Sequence, residues 1–342
     1  MDRLLQCQTK QRERSPLAAG RCALGAIVCI TAIVSVTSAD DAPTPAATLS
    51  GHADTVYAVT FSSDGNWIVT GSFDKTVRVW DAATLETVHT LEGSGGIVLD
   101  VALSPDSTRI ASCALENNIR LWDRTEGKPL AELAGHGGHV YGLAFSPDGT
   151  ILASASNDKT VRFWSMAENK ELKTLTTQAA AVYDLAFSPD GKSLLIAGAD
   201  KTVRLLSAED GSEVRQYQGP EDAIYTACFH PDGSRIAAGG VGLGESRRLF
   251  VWNVDNPQPA HVLTGHTDDV YRVQFHPAEN RLLSVGYSGI VKEWNLDSGQ
   301  AEFSIDLPVI LYSGAYSPDA KRIAVAANDN KVYLFDRPPA AE

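Results

Sequence analysis

No apolar run in this chain reaches the ~20 residues that a membrane-spanning helix needs. The best candidate, Cys22–Val36, is fifteen residues without a charge. Basic charge is also scarce: 29 Lys and Arg stand against 42 Asp and Glu, a net of −13. Residues 1–39 hold five of the basic groups, so the remainder carries 24 basic and 40 acidic residues. A body this acidic repels phosphate, which argues against nucleic acid and points to a neutral or cationic partner. Cysteine is thin as well. Three of the five (Cys7, Cys22, Cys29) fall in residues 1–39. Cys113 and Cys228 lie in apolar strand patterns and are expected as buried free thiols rather than a disulfide. The eight histidines are scattered, with no metal-ligand spacing, nucleophile motif or converging carboxylate pair. No catalytic residue, metal ligand or cofactor site is therefore assigned.

The N-terminus combines basic residues, the Cys22–Val36 run and Thr37-Ser38-Ala39. Small residues at 37 and 39 fit a signal-peptidase cut after Ala39. The expectation is an exported protein, periplasmic or secreted. The alternative is a chain tethered to a membrane by residues 22–36. The division expected is an export signal or signal-anchor (1–39), a linker (40–44), one large domain (45–336) and a tail (337–342).

What the chain has in abundance is repetition. The residues that open successive units are Gly51, Gly93, Gly135, Thr177, Gly219, Gly265 and Asp306, and the first five are 42 apart. In the first unit Val56–Phe61 reads as a β-branched and aromatic strand, Ser62–Gly65 as a tight turn and Trp67–Gly71 as a second strand. Thr76–Asp81 is a third strand and Glu86–Leu91 a fourth. Later copies sharpen the turn to Ser146-Pro147-Asp148-Gly149, where proline presets φ and glycine tolerates positive φ. Short strands at this spacing define an all-β array of modules that bury surface against their neighbours.

The pairs Gly51-His52 with Trp80-Asp81, Gly135-His136 with Trp164-Ser165, and Gly265-His266 with Trp294-Asn295 carry a resemblance to a known family, as do Trp122-Asp123 and Trp252-Asn253. The chain resembles the WD-repeat β-propellers from about Leu49 to Asp336. The resemblance implies a seven-bladed propeller of four-stranded antiparallel blades. The phase of the first unit implies that the N-terminal strand, near Ala46–Leu49, completes the last blade and closes the ring. A monomer is expected.

The family's hydrogen-bonded set, carried over by position, is His52, Ser72, Asp74 and Trp80 in the first unit and His136, Ser156, Asp158 and Trp164 in the third. These are read as structural residues. Other units lack parts of the set: Ser94 and Glu116 in the second, Leu206 in the fourth, Gly286 and Ser288 in the sixth.

Six of the ten tyrosines share one phase: Tyr57, Tyr141, Tyr183, Tyr225, Tyr271 and Tyr312, with Leu99 in the second unit. In propellers of this family that place lies at the mouth of the central channel. Tyrosine is a frequent interface anchor. Two readings stay open, a binding rim or inherited inter-blade packing. The fifth unit also carries four extra residues, in the loop Gly239–Leu249 with Arg247 and Arg248, on the same face. The function expected is a non-catalytic scaffold that binds a peptide or protein across this mouth. The alternative is a glycan or small molecule stacked on the phenols.

Overall fold

A computed structural model describes residues 44–176, 179–242 and 248–337. The proposed leader, residues 1–39, and Arg247 lie outside the described residues. Among the described residues there are 28 strands and no helix, arranged as seven four-stranded antiparallel sheets. Each sheet takes its strands in chain order, except one. The strand Ala47–Ser50 pairs with Lys331–Asp336, matching Ala47 to Leu334 and Ser50 to Lys331. The final blade is therefore built from both ends of the domain, and the ring has no open edge. This is the closure expected from the phase of the repeat.

Burial follows position within a blade. The second strand of the first blade, Trp67–Ser72, is buried at every residue but the first, because neighbouring blades cover both of its faces. The outermost strand, Thr87–Leu91, buries only Leu91. Core clusters consequently form between blades rather than within them. Leu195, Val203 and Leu205 of the fourth blade pack with Ile224, Ile236 and Trp252 of the fifth. Val56 and Trp80 of the first blade pack with Leu49, Ala324 and Leu334 of the last across the closing seam. Stability is accordingly a sum of nearest-neighbour seams. Of the two cysteines, Cys113 is buried and Cys228 half-buried, and both are free; burial pushes the Cys228 thiol up to about 12.

One irregularity recurs in all seven blades. The pairing of the innermost strand with the second jumps between Val56 and Ala58, Val98 and Asp100, Val140 and Gly142, and Val182 and Asp184. It jumps again between Ile224 and Thr226, Val270 and Arg272, and Leu311 and Ser313. The residue skipped is the tyrosine, or Leu99 in the second blade. A β-bulge bends the strand and re-aims the extra side chain, so the tyrosines leave the ordinary alternation of the strand.

Candidate functional site at the channel mouth

The bulges bring the tyrosines into one aromatic collar. Ring centroids are 5.3 Å apart for Tyr141 and Tyr183, 5.6 Å for Tyr183 and Tyr225, and 5.1 Å for Tyr225 and Tyr271. The arc continues with 5.6 Å for Tyr271 and Tyr312 and 4.9 Å for Tyr312 and Tyr57. Leu99 occupies the remaining place. The six rings are only 2–7% exposed, so the collar is a packed inner wall with a thin margin at the mouth. Phe73 stacks on Tyr57, and Tyr287 lies against Tyr271. The rings meet as stacked pairs (Tyr57 with Tyr312, Tyr225 with Tyr271) and as edge-on pairs (Tyr141 with Tyr183, Tyr271 with Tyr312), so little of any ring is open at the mouth.

In four of the seven blades the residue after the bulged position links to a neighbouring blade. Asp100 accepts the Leu143 N–H at 2.9 Å, and Asp184 accepts that of Ala227 at 2.9 Å. Thr226 and Ser313 take the N–H groups of Val273 and Val59 at 3.3 and 3.4 Å. Burial pushes the Asp100 carboxyl up to about 6; Asp184 reinforces this and Arg272 opposes it. These clips escaped the sequence reading, since nothing in one strand shows which backbone amide the next blade will offer.

The hydrogen-bonded sets form on the same face, with one correction. In the first blade Trp80 Nε1 donates to Thr70 Oγ1 at 2.9 Å, and Thr70 meets His52 Nε2 at 2.7 Å. His52 Nδ1 then lies 2.8 Å from Asp74. The third blade repeats this through Trp164, Ser154, His136 and Asp158. The relay hydroxyls are Thr70 and Ser154, two residues before the Ser72 and Ser156 assigned from sequence. Ser72 and Ser156 instead bond the Asp54 and Gly138 carbonyls and brace the turns at Asp74 and Asp158. Strand register explains the difference: Trp80 pairs with Ile68, so of the two hydroxyls on that face the nearer one, ten positions before the indole, is reached, and Thr70, Ser112, Ser154 and Ser284 all stand there. Burial opposes charge on Asp74 and Asp158, but the histidine, a backbone amide and a threonine hold both carboxyls below the usual range. In the fifth blade, where Pro220 stands in place of the relay histidine, Trp252 donates to the Gln218 carbonyl. Buried indole N–H groups need such acceptors.

Arg248 is exposed at the start of the strand Arg248–Asn253 and borders a shallow recess with Gly219–Asp222 and Phe250. No helix among the described residues is long and apolar enough to cross a membrane. Nor do the described residues hold a group of three or more His, Cys, Asp or Glu placed for a metal.

Fold and relay together define a closed seven-bladed propeller with tryptophan-anchored blades. Residues 43–81, 85–123, 127–165, 169–207, 211–253 and 257–295 match the family described as WD domain, G-beta repeat, and the chain belongs to it. The family is generally one of non-catalytic scaffolds that bind proteins. Among curated relatives, the chain is 32% identical to rat (Rattus norvegicus) Coronin-7 over 102 residues, which cover 27% of this chain and 11% of that protein. It is 34% identical over 80 residues to a coronin-like protein of Saccharomyces cerevisiae, covering 23% and 12%. It is 33% identical over 96 residues to the mouse (Mus musculus) periodic tryptophan protein 2 homolog, covering 28% and 10%. The matches thus span about a tenth of the relatives' length. They also overturn the expectation of export: the coronins are cytoplasmic proteins, not secreted or periplasmic ones.

Proposed function

We propose that this chain is a non-catalytic scaffold that takes a neutral or cationic peptide or protein segment across the channel mouth. The observation that carries the reading is the collar. Seven bulges in register aim six phenol rings at one level, in an arc that is continuous from Tyr141 to Tyr57. Closely packed rings give a rigid floor, which lowers the ordering cost of binding above it. The loops in front of the collar carry Asp54, Glu92, Glu221, Asp222, Asp268 and Asp306, and such a rim favours a cationic segment. Arg248, beside the extended loop of the fifth blade, would contact the segment from the side.

The test is a co-purification with wild type and the triple variant Tyr141→Phe, Tyr183→Phe, Tyr225→Phe. Phenylalanine keeps the buried rings in place, whereas alanine would leave cavities costing about 3–5 kcal/mol each. Loss of a partner at unchanged melting temperature is expected. Equal recovery of the same partners would count against the mouth.

A further inference from the structure

The opposite face holds the turns after the first and third strands of each blade. There the residue directly after each Trp-Asp position stands at the seam to the preceding blade. In blade order it is Ala82, Arg124, Met166, Ala208, Val254, Leu296 and Arg337. Five of these are large enough to occupy the seam. Arg124 sits 4.4 Å from the Trp67 ring, and its Nε donates to the Ser107 carbonyl at 2.6 Å. Arg337 is held by Glu279 and Glu293. Met166 and Leu296 are buried apolar fillers. The remaining two are alanines, and those two seams open into clefts. The cleft between the seventh and first blades is about 770 Å³ and is lined by Phe61, Asp64, Trp67, Asp81, Asp319 and Arg322. The cleft between the third and fourth is about 570 Å³ and is lined by Asp148, Ile151, Phe187, Asp190, Lys192 and Glu209.

We propose that the two alanine seams are receptor clefts for arginine side chains of a partner protein, each entering where Arg124 and Arg337 lie in the filled seams. The protein itself shows the binding mode twice: a guanidinium laid on an aromatic ring, and a guanidinium forked between carboxylates. Both clefts offer the same ingredients, an aromatic floor and three carboxylates. Serine hydroxyls at Ser62, Ser317, Ser146 and Ser188 bond Asp64, Asp319, Asp148 and Asp190 and keep those carboxyls ionised. Each cleft also carries cations of its own, Arg322 and Lys321 in the first and Lys192 in the second, so its carboxylates outnumber its cations by three to two and three to one. Arg322 donates to the Ala82 carbonyl and faces Asp336, and Lys321 reaches out to Asp319. Lys173 is tied to the Ala208 and Glu209 carbonyls, which leaves Lys192 beside the second cleft. These clefts lie on the face away from the tyrosine collar, and the proposal stands apart from binding at the mouth.

The experiment titrates the isotope-labelled full chain with an acetylated, amidated Gly-Ser peptide bearing one arginine, followed by NMR. A peptide with citrulline in place of arginine is titrated in parallel. Backbone shifts are expected around Ala82 and Ala208 but not around Arg124. Citrulline should bind roughly ten-fold more weakly, as loss of about one charged contact implies. Ala208→Met should silence its own cleft and leave the Ala82 cleft responsive, and Ala82→Met the reverse. If either variant fails to fold, Asp148→Asn with Asp190→Asn serves the same end by removing charge at the cleft wall. Equal binding of the citrulline peptide, unchanged shifts in a plugged or neutralised cleft, or no shift in either cleft at millimolar peptide would overturn the proposal.

Discussion

Glu293, 1% exposed on its side chain, receives the Arg337 guanidinium through Nε at 2.8 and 2.9 Å and Nη2 at 2.7 Å. The same guanidinium reaches Glu279 at 2.6 and 3.1 Å, and Arg281 lies 3.4 Å from Glu293. Glu293 is the single acid in its column: Val79, Leu121, Phe163, Leu205, Val251 and Leu334 occupy the equivalent place. The residue following the last strand thereby locks the seventh blade to the sixth. Removing one member of a buried pair strands the other charge and costs about 3–5 kcal/mol, whereas an apolar replacement of both is close to neutral. Arg337→Ala should lower unfolding free energy by up to about that amount, because Arg281 still faces Glu293, and Glu293→Leu with Arg337→Leu should recover most of it. Urea unfolding of the three proteins decides the matter; a double variant as weak as the single would refute it.

Asp100 predicts a pH dependence. Its folded carboxyl is raised from 3.8 to about 6, chiefly by burial. A carboxyl raised on folding binds its proton more tightly in the native state, so this group lowers stability as pH climbs from about 4 through about 6. Asp100→Asn removes that penalty and can still accept the Leu143 N–H. The variant should match wild type near pH 4 and exceed it by about 1–3 kcal/mol above pH 7. Denaturant curves at the two pH values measure this. A gain independent of pH would show that Asp100 acts by some other route.

The sixth blade has an unfinished relay. His266 meets Ser284 at 2.7 Å, and Trp294 donates to the same hydroxyl at 2.7 Å. Ser284 has one hydrogen to give, so neutral His266 accepts it at Nε2 and carries its own proton on Nδ1. Among the described residues that Nδ1 has no partner, and the Ser288 hydroxyl is also buried without one. Burial and then Lys292 push His266 down to about 3. Ser288→Asp should supply the missing acceptor, raise the His266 pKa and stabilise the fold by about 1 kcal/mol. Serine should not be restored at Gly286, where a Cβ would sit 2.7 Å from His266 Nδ1. Titration of the His266 ring by NMR is the check, and an unmoved pKa would refute the assignment.

Ring closure rests on a short strand. Leu49 is 2% exposed and packs with Val56, Trp80, Ala324 and Val332. Leu49→Ala should cost about 2–4 kcal/mol. Deleting residues 44–50 should expose the edge at Lys331–Asp336 and make the domain aggregate below its normal melting temperature. Calorimetry with light scattering tests both; an unaltered transition after the deletion would contradict closure.

Blade number, strand order and closure were legible in the chain because they depend on period and phase, which survive in one dimension. The 42-residue step names the module, and Ala46–Leu49, in the phase of a fourth strand, names the closing strand. The tyrosines were legible as a set for the same reason. Their environment was not. A bulge adds one residue without leaving any mark in composition, and it turned an apparent rim into a packed collar. The relay hydroxyls were misplaced by two positions because both Thr70 and Ser72 are polar on one strand, and only strand pairing reveals which lies under the indole. The alanine seams, the inter-blade carboxylate clips and the Glu293–Arg337 lock join residues about 40 to 60 positions apart, or across the closing seam. Local pattern determines each module, while contacts between modules depend on which side chain the next blade presents, and that is settled only when the ring has closed.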